Sequence, residues 1–111
     1  MTVTVKPLIL AKIAEATQVT QYTATGVTAI IDKFTATNYS ATAATISVNL
    51  VTGASTAGNQ NLVTKTKTLQ PAEVYTFPEL VGQVLAPSEF ISTIAGTAAS
   101  INIRASGREV T

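Results

Sequence analysis

Ala44-Thr45-Ile46-Ser47-Val48-Asn49-Leu50 alternates without a break, with Ala44, Ile46, Val48 and Leu50 on one face and Thr45, Ser47 and Asn49 on the other. A period of two marks a half-buried strand, because successive side chains leave opposite faces of a pleated sheet. The same pattern closes the chain, where Ile101, Ile103 and Ala105 alternate with Asn102 and Arg104 before Gly107 permits a bulge or turn. Upstream, Val27 to Thr37 carries apolar residues on both faces: Val27, Ala29 and Ile31 on one, Ile30, Phe34 and Ala36 on the other. That predicts a central strand covered on both sides, with Asp32 and Lys33 projecting to opposite faces. Asn38-Tyr39-Ser40-Ala41-Thr42 supplies turn chemistry and predicts a hairpin into the strand that starts near Ala43.

Downstream, Thr52 to Gln60 is small and polar without periodicity and reads as an exposed loop. In Leu62 to Leu69, Thr64, Thr66 and Thr68 alternate with Val63, Lys65 and Lys67, which predicts an edge strand whose lysines face solvent or a partner. Pro71 ends it, since proline cannot donate to a central ladder. Short strands follow at Val74 to Phe77, around Val81 to Leu85 and at Phe90 to Ile94, the last two separated by Ala86-Pro87-Ser88-Glu89. Near the N-terminus, Pro7 followed by Leu8 to Glu15 reads equally as a two-turn helix or as a strand, and Val19 to Thr23 reads as extended. The expectation is an all-β chain: a single antiparallel β-sandwich domain over residues 1–111, jelly-roll-like or Ig-like, with seven or eight short strands. Residues 1–25 are its candidate N-terminal arm, with a short helix or an extended segment in it.

Composition narrows the function. The 111 residues carry 20 Thr and 17 Ala but six Phe and Tyr together, so the core is expected to be thin and burial between subunits to supplement it. Charged residues make up 12% and the formal net charge is +1, which leaves no basic stripe for nucleic acid. No apolar run reaches the roughly 18 residues of a spanning helix, and no cleavable leader follows Met1, so no membrane partner is expected and the chain should start at or near Met1.

Chemistry is equally constrained. There is no Cys, His or Trp, which removes thiolate nucleophiles, imidazole bases, catalytic triads and zinc sites built on Cys or His. Asp32 is the sole Asp, with no second carboxylate tied to it locally. Gly53 and Gly58 have phosphate-loop spacing, but Asn59-Gln60 stands where the lysine and hydroxyl are required. Asn38-Tyr39-Ser40 matches a glycosylation acceptor and reads as a turn. The six acids include no calcium-loop pattern. The expectation is a non-enzymatic protein with no catalytic residues, metal or cofactor.

Charge, by contrast, is segregated: from Lys33 to Gln70 there are three lysines and no acid, and from Pro71 to Ser88 Glu73 and Glu79 and no base, with Glu89 next. Either these are solvated faces, or Lys65 and Lys67 of one subunit meet Glu73, Glu79 and Glu89 of the next in a heterologous ring.

Tyr22-Thr23-Ala24, Gly26-Val27-Thr28-Ala29-Ile30-Ile31, Thr37-Asn38 and Ser40 to Val48, with Ala98 to Ile103 and Ser106 to Thr111 at the end, resemble the small virion structural proteins of tailed bacteriophages. The likeness is one of pattern and short phrases and runs from about Pro7 to Thr111. It implies an all-β sandwich on the particle, made in the host cytoplasm. The leading expectation is a capsid decoration or cement protein, often a trimer, bound to itself and to the major capsid protein or other virion proteins. The stretch from Lys12 to Gln21 departs from the shorter, more polar start of such proteins. Alternatives are a tail, collar or head-fibre component, or a carbohydrate-binding β-sandwich module. Against the last, Tyr22, Tyr39, Tyr75, Phe34, Phe77 and Phe90 are placed like core or hairpin residues rather than as a binding platform.

Overall fold

The computed structural model describes residues 1–111 and contains nine strands: β1 (Val3–Ile13), β2 (Val19–Thr23), β3 (Thr28–Asn38), β4 (Ala44–Val51), β5 (Leu62–Leu69), β6 (Val74–Tyr75), β7 (Val84–Leu85), β8 (Phe90–Ala95) and β9 (Ile101–Val110). One turn of 3-10 helix at Asn59–Asn61 is the sole helical element. The strands form two antiparallel sheets. The first runs β1-β9-β3, with β6 and β7 end to end along the free edge of β3; the second runs β2-β8-β4-β5.

β6 and β7 occupy one strand position, interrupted by the loop 76–83. With that position counted once, the first strand pairs with the last, the second with the next to last, and so inward to the β4–β5 hairpin. Successive pairs alternate between the sheets. This is jelly-roll order and not the Ig arrangement.

No helix forms after Pro7. Leu8 to Ile13 continues β1, which pairs with β9 over its whole length. A lone two-turn helix would leave an apolar segment without a covering surface, whereas the edge of the sheet supplies a ladder and buries Leu8 and Ile9. Residues 1–25 thus contribute one strand to each sheet.

Apart from Ile30, which faces outward, the two apolar faces of β3 are a single face with a change of phase. Ile31 pairs with Gly107 and Lys33 with Ser106, so the chain bulges at Asp32. Ala29 and Ile31 before it, and Phe34 and Ala36 after it, all point into the sandwich and are fully buried. Asp32 and Lys33 both face solvent, in place of the opposite faces that strict alternation demands. Gly107 sits across from the bulge, where an added Cβ would lie 2.1 Å from the carbonyl oxygen of Ile30. The bulge foreseen near Gly107 lies in its partner strand.

Asn38 to Thr42 is a turn, but it leads from the first sheet to the second and makes no hairpin. Buried Asn38 holds it: its Nδ2 donates to the carbonyls of Thr42 (2.8 Å) and Leu69 (2.9 Å), and its Oδ1 accepts from the Ser40 N–H (2.9 Å) and hydroxyl (2.7 Å). All four hydrogen-bonding positions of the amide are used, so its burial carries no unmatched polar atom.

Alanines at 14, 24, 29, 36, 44, 95 and 105 make up a third of the buried apolar residues, and Phe34 and Phe77 are the largest side chains among them. These two rings meet edge to face at 4.7 Å, with Phe77 reaching in from the loop between β6 and β7. The solvent-accessible surface is 5535 Å², against about 5,800 Å² expected for a folded monomer of this mass. Even with a thin core the chain folds to ordinary compactness.

Candidate functional site

The five charged residues singled out by sequence do not form one patch. β5 bulges, because Ile46 pairs with Lys67 and Val48 with Thr64, leaving Lys65 and Thr66 opposite Ser47. Thr66 takes φ 44°, unusual for a β-branched residue, and its N–H donates to Ser47 Oγ at 2.8 Å. The bulge separates the lysines: Lys65 is exposed, while Lys67 turns back towards the sandwich with its ammonium 4.7 Å from the centre of the Tyr75 ring.

Glu79 lies in that neighbourhood. Its carboxylate accepts hydrogen bonds from Tyr75 OH (2.7 Å) and from Thr64 Oγ1. Burial alone would raise its pKa, but these two bonds, a backbone hydrogen bond and, least of all, the charge of Lys67 outweigh it and hold the carboxyl below its ordinary value. The bond to Glu79 in turn pushes the Tyr75 phenol up, with desolvation adding to it. Lys67 and Glu79 therefore both engage Tyr75 within a single copy. Glu73 and Glu89 serve their own turns, accepting from the backbone N–H of Gln70 (2.7 Å) and of Ala86 (2.9 Å).

Other charges are also locally engaged. Exposed Asp32 accepts from Arg108 Nη2 at 2.8 Å and Nε at 3.0 Å, and this pairing lowers its pKa. Tyr22 of the second sheet donates to Glu109 of the first at 2.5 Å, with Lys6 3.5 Å from the same carboxylate. Burial, followed by that bond, raises the Tyr22 phenol. No three acidic side chains come together where a metal ion could be held, and no helix is long and apolar enough to cross a membrane. A cleft of 200 Å³ on the second sheet is lined by Gln18, Asn49, Asn59 and Lys65 among others and by no aromatic residue. Two of its amides are already engaged: Gln18 donates to Ser92 Oγ at 2.7 Å, and Asn49 donates to Asn61 Oδ1 at 2.7 Å.

Beyond three unpaired cations, Lys33, Lys65 and Arg104, what is left unengaged is apolar and confined to one sheet. Apart from Met1 and Tyr39, every large apolar side chain that stands exposed lies along the two opposite edges of the first sheet. Val3 (50%), Val5 (78%), Leu10 and Ile13 are on β1; Val74, Val81 and Val84 (55%) are on β6, β7 and the loop between them. The pairings place Val5, Arg108, Ile30 and Val84 in one row on the outer face of the sheet, with a valine at each end. Beside Val84, between the two sheets, a cleft of 440 Å³ is lined by Leu50, Val63 and Leu85 together with Gln83 and Glu89. Sequence reading passes over these valines, because an exposed valine and a core valine look alike in a short strand. The available signal was Val3-Thr4-Val5 ahead of Pro7, since proline within a strand marks an edge.

Fold and surface together define a single jelly-roll β-sandwich with an apolar border on each side of one sheet. Compared with protein-family models, with curated proteins and with solved structures, the chain finds no match in any of the three.

Proposed function

We propose that the chain is a non-enzymatic structural protein of a tailed-bacteriophage particle, a decoration or cement protein that binds the assembled shell and stabilises it through self-association. The observation that carries this reading is the confinement of the exposed aliphatic side chains to the two edges of one sheet, while most charged side chains are matched within the chain. Such a surface favours contact with protein, because little charge must lose its water when an interface forms. A small jelly roll with a thin core gains stability from burial between copies. A protein that binds the closed shell but not its separated subunits strengthens it by mass action. The resemblance of its short phrases to phage virion proteins supplies the particle.

The test is to purify phage particles released from cells that carry the gene and to quantify this chain in them by mass spectrometry, with antibody labelling in the electron microscope. Many copies per particle, distributed over the head, are expected. Absence from the particles while the chain is present in the cell lysate contradicts the proposal, and label confined to the tail or one vertex replaces the cement role by a tail, collar or fibre role.

A further inference from the structure

The two apolar edges of the first sheet are complementary in backbone as well as in side chains. Thr2 and Thr111 exchange both of their backbone hydrogen bonds, at 3.2 and 3.0 Å. Antiparallel ladders alternate, so Thr4 and Lys6 also turn their polar groups to β9, while Val3 and Val5 turn theirs to the open side. The next open-side position is Pro7, which has no N–H to offer, so the accepting stretch is short. On the opposite edge, the Ile31 N–H donates to the Gln83 carbonyl at 3.0 Å, which directs Gln83 towards β3 and its neighbour Val84 outward. The Asn38 N–H bonds the Glu73 carbonyl at 3.0 Å, and by the same alternation Val74 faces outward. Val3, Val5, Val74 and Val84 thus each combine an exposed aliphatic side chain with outward-directed backbone polar groups.

We infer that β1 of one copy docks along β7 of the next, joining the first sheets of neighbouring copies into one continuous antiparallel sheet. The inference rests on the self-association in the proposed function and names the surface that performs it. Strand direction permits the join: β1 and β3 both run antiparallel to β9, and β7 runs antiparallel to β3, so an incoming β1 meets β7 antiparallel. Val3 or Val5 then lies beside Val84 and lengthens the row that already crosses the outer face. The two edges also differ in sign: β1 carries Lys6 and Lys12 and no acid of its own, their partners within the copy being Glu109 on β9 and Glu15 beyond the strand, whereas residues 71–89 carry three glutamates and no base. A second copy is the occupant because every copy carries both halves of the contact. Two different surfaces meeting head to tail generate a ring when the rotation closes.

The absence of cysteine makes a direct test available. Within one copy, positions 5 and 84 stand three strand spacings apart, roughly 14 Å, twice the approximately 7 Å limit between Cα atoms for a disulfide. A bond between Val5→Cys and Val84→Cys in the double variant can therefore form only between copies, and a Val3→Cys with Val84→Cys variant covers a two-residue change of register. Mild oxidation should convert one of the double variants to covalent species larger than a dimer on a non-reducing gel, while each single variant stays monomeric. Dimers of the Val5→Cys single variant would overturn the inference in favour of a twofold β1–β1 contact. Failure of both double variants to cross-link under conditions where native mass spectrometry shows an oligomer would overturn it outright, and leave the particle assay above to decide the function separately. Cross-linking by a chain that is absent from particles would keep the edge contact and dismiss the virion role.

Discussion

β1 and β5 are the long outer strands of the two sheets, and their free sides are built in opposite ways. β5 bulges at Lys65 and Thr66, folds Lys67 back over Tyr75, and takes the backbone N–H of Thr66 out of use through Ser47. These are devices that keep an edge from pairing with other chains. β1 keeps two valines and their outward backbone groups in register before Pro7 interrupts the run. An edge left open for a short, defined length beside one that is blunted is the arrangement expected of a protein that joins its neighbours through one sheet and not the other.

That contrast can be broken from either side. The largest effect is expected at Phe77, the plug that fixes the β6–β7 segment to the first sheet: Phe77→Ala should cost about 3 to 5 kcal/mol of stability, read from the urea midpoint. A loss below about 1 kcal/mol would mean that the segment is held by its ladder alone. Asn38→Leu comes next, because it strands the carbonyls of Thr42 and Leu69, the latter at the end of β5. A loss of about 2 to 3 kcal/mol is expected, and an unchanged midpoint would show that water replaces the amide.

Acid should loosen the blunted side in a way that isolates Glu79. Its folded pKa lies below the ordinary value of 4.5, so its bonds to Thr64 and Tyr75 add stability above pH 4.5 and lose it as the pH falls through the lowered value. Between those limits the parent protein should lose more stability than Glu79→Gln does. Parallel pH profiles for the two would remove this carboxylate from the β5 neighbourhood's stability. The smallest changes in folding stability belong to the surface positions: Val5→Lys and Lys65→Ala should each stay within about 0.5 kcal/mol of the parent in dilute solution. In self-association they should separate, with Val5→Lys weakening it at least tenfold and Lys65→Ala leaving it unchanged. Equal effects on sedimentation would erase the contrast between the edges.

Much of the fold was legible because half-buried strands write their alternation into the sequence. β4 and β9 stand where Ala44 to Leu50 and Ile101 to Ala105 predicted them, β5 is the edge strand its lysines suggested, and the sandwich is antiparallel throughout. The failures share a physical cause. One extra residue at Asp32 reverses the phase of β3, and another at Lys65–Thr66 separates two lysines that strict alternation puts together. Such bulges are set by the partner strand, here Gly107 and Ser47, and have no local signature of their own. The Asn38 turn was read correctly as a turn, but an asparagine that caps a chain reversal does the same work whether the next strand returns to its own sheet or crosses to the other. The choice between strand and helix after Pro7 depended on whether a sheet edge was available, which is a property of the whole fold. The apolar border was the least legible feature, because exposure is settled by where a strand lies in its sheet.

Hydrogen exchange followed residue by residue, at low and at high protein concentration, tests the difference between the edges most directly. If β1 is the joining edge, the amides of Val3, Val5 and Val84 exchange freely in the dilute protein and become protected as concentration rises, while the amide of Lys65 on β5 exchanges at the same rate throughout. Protection that rises on β5, or that fails to rise on β1 while the protein demonstrably associates, would contradict the assignment of β1 as the edge that neighbours share.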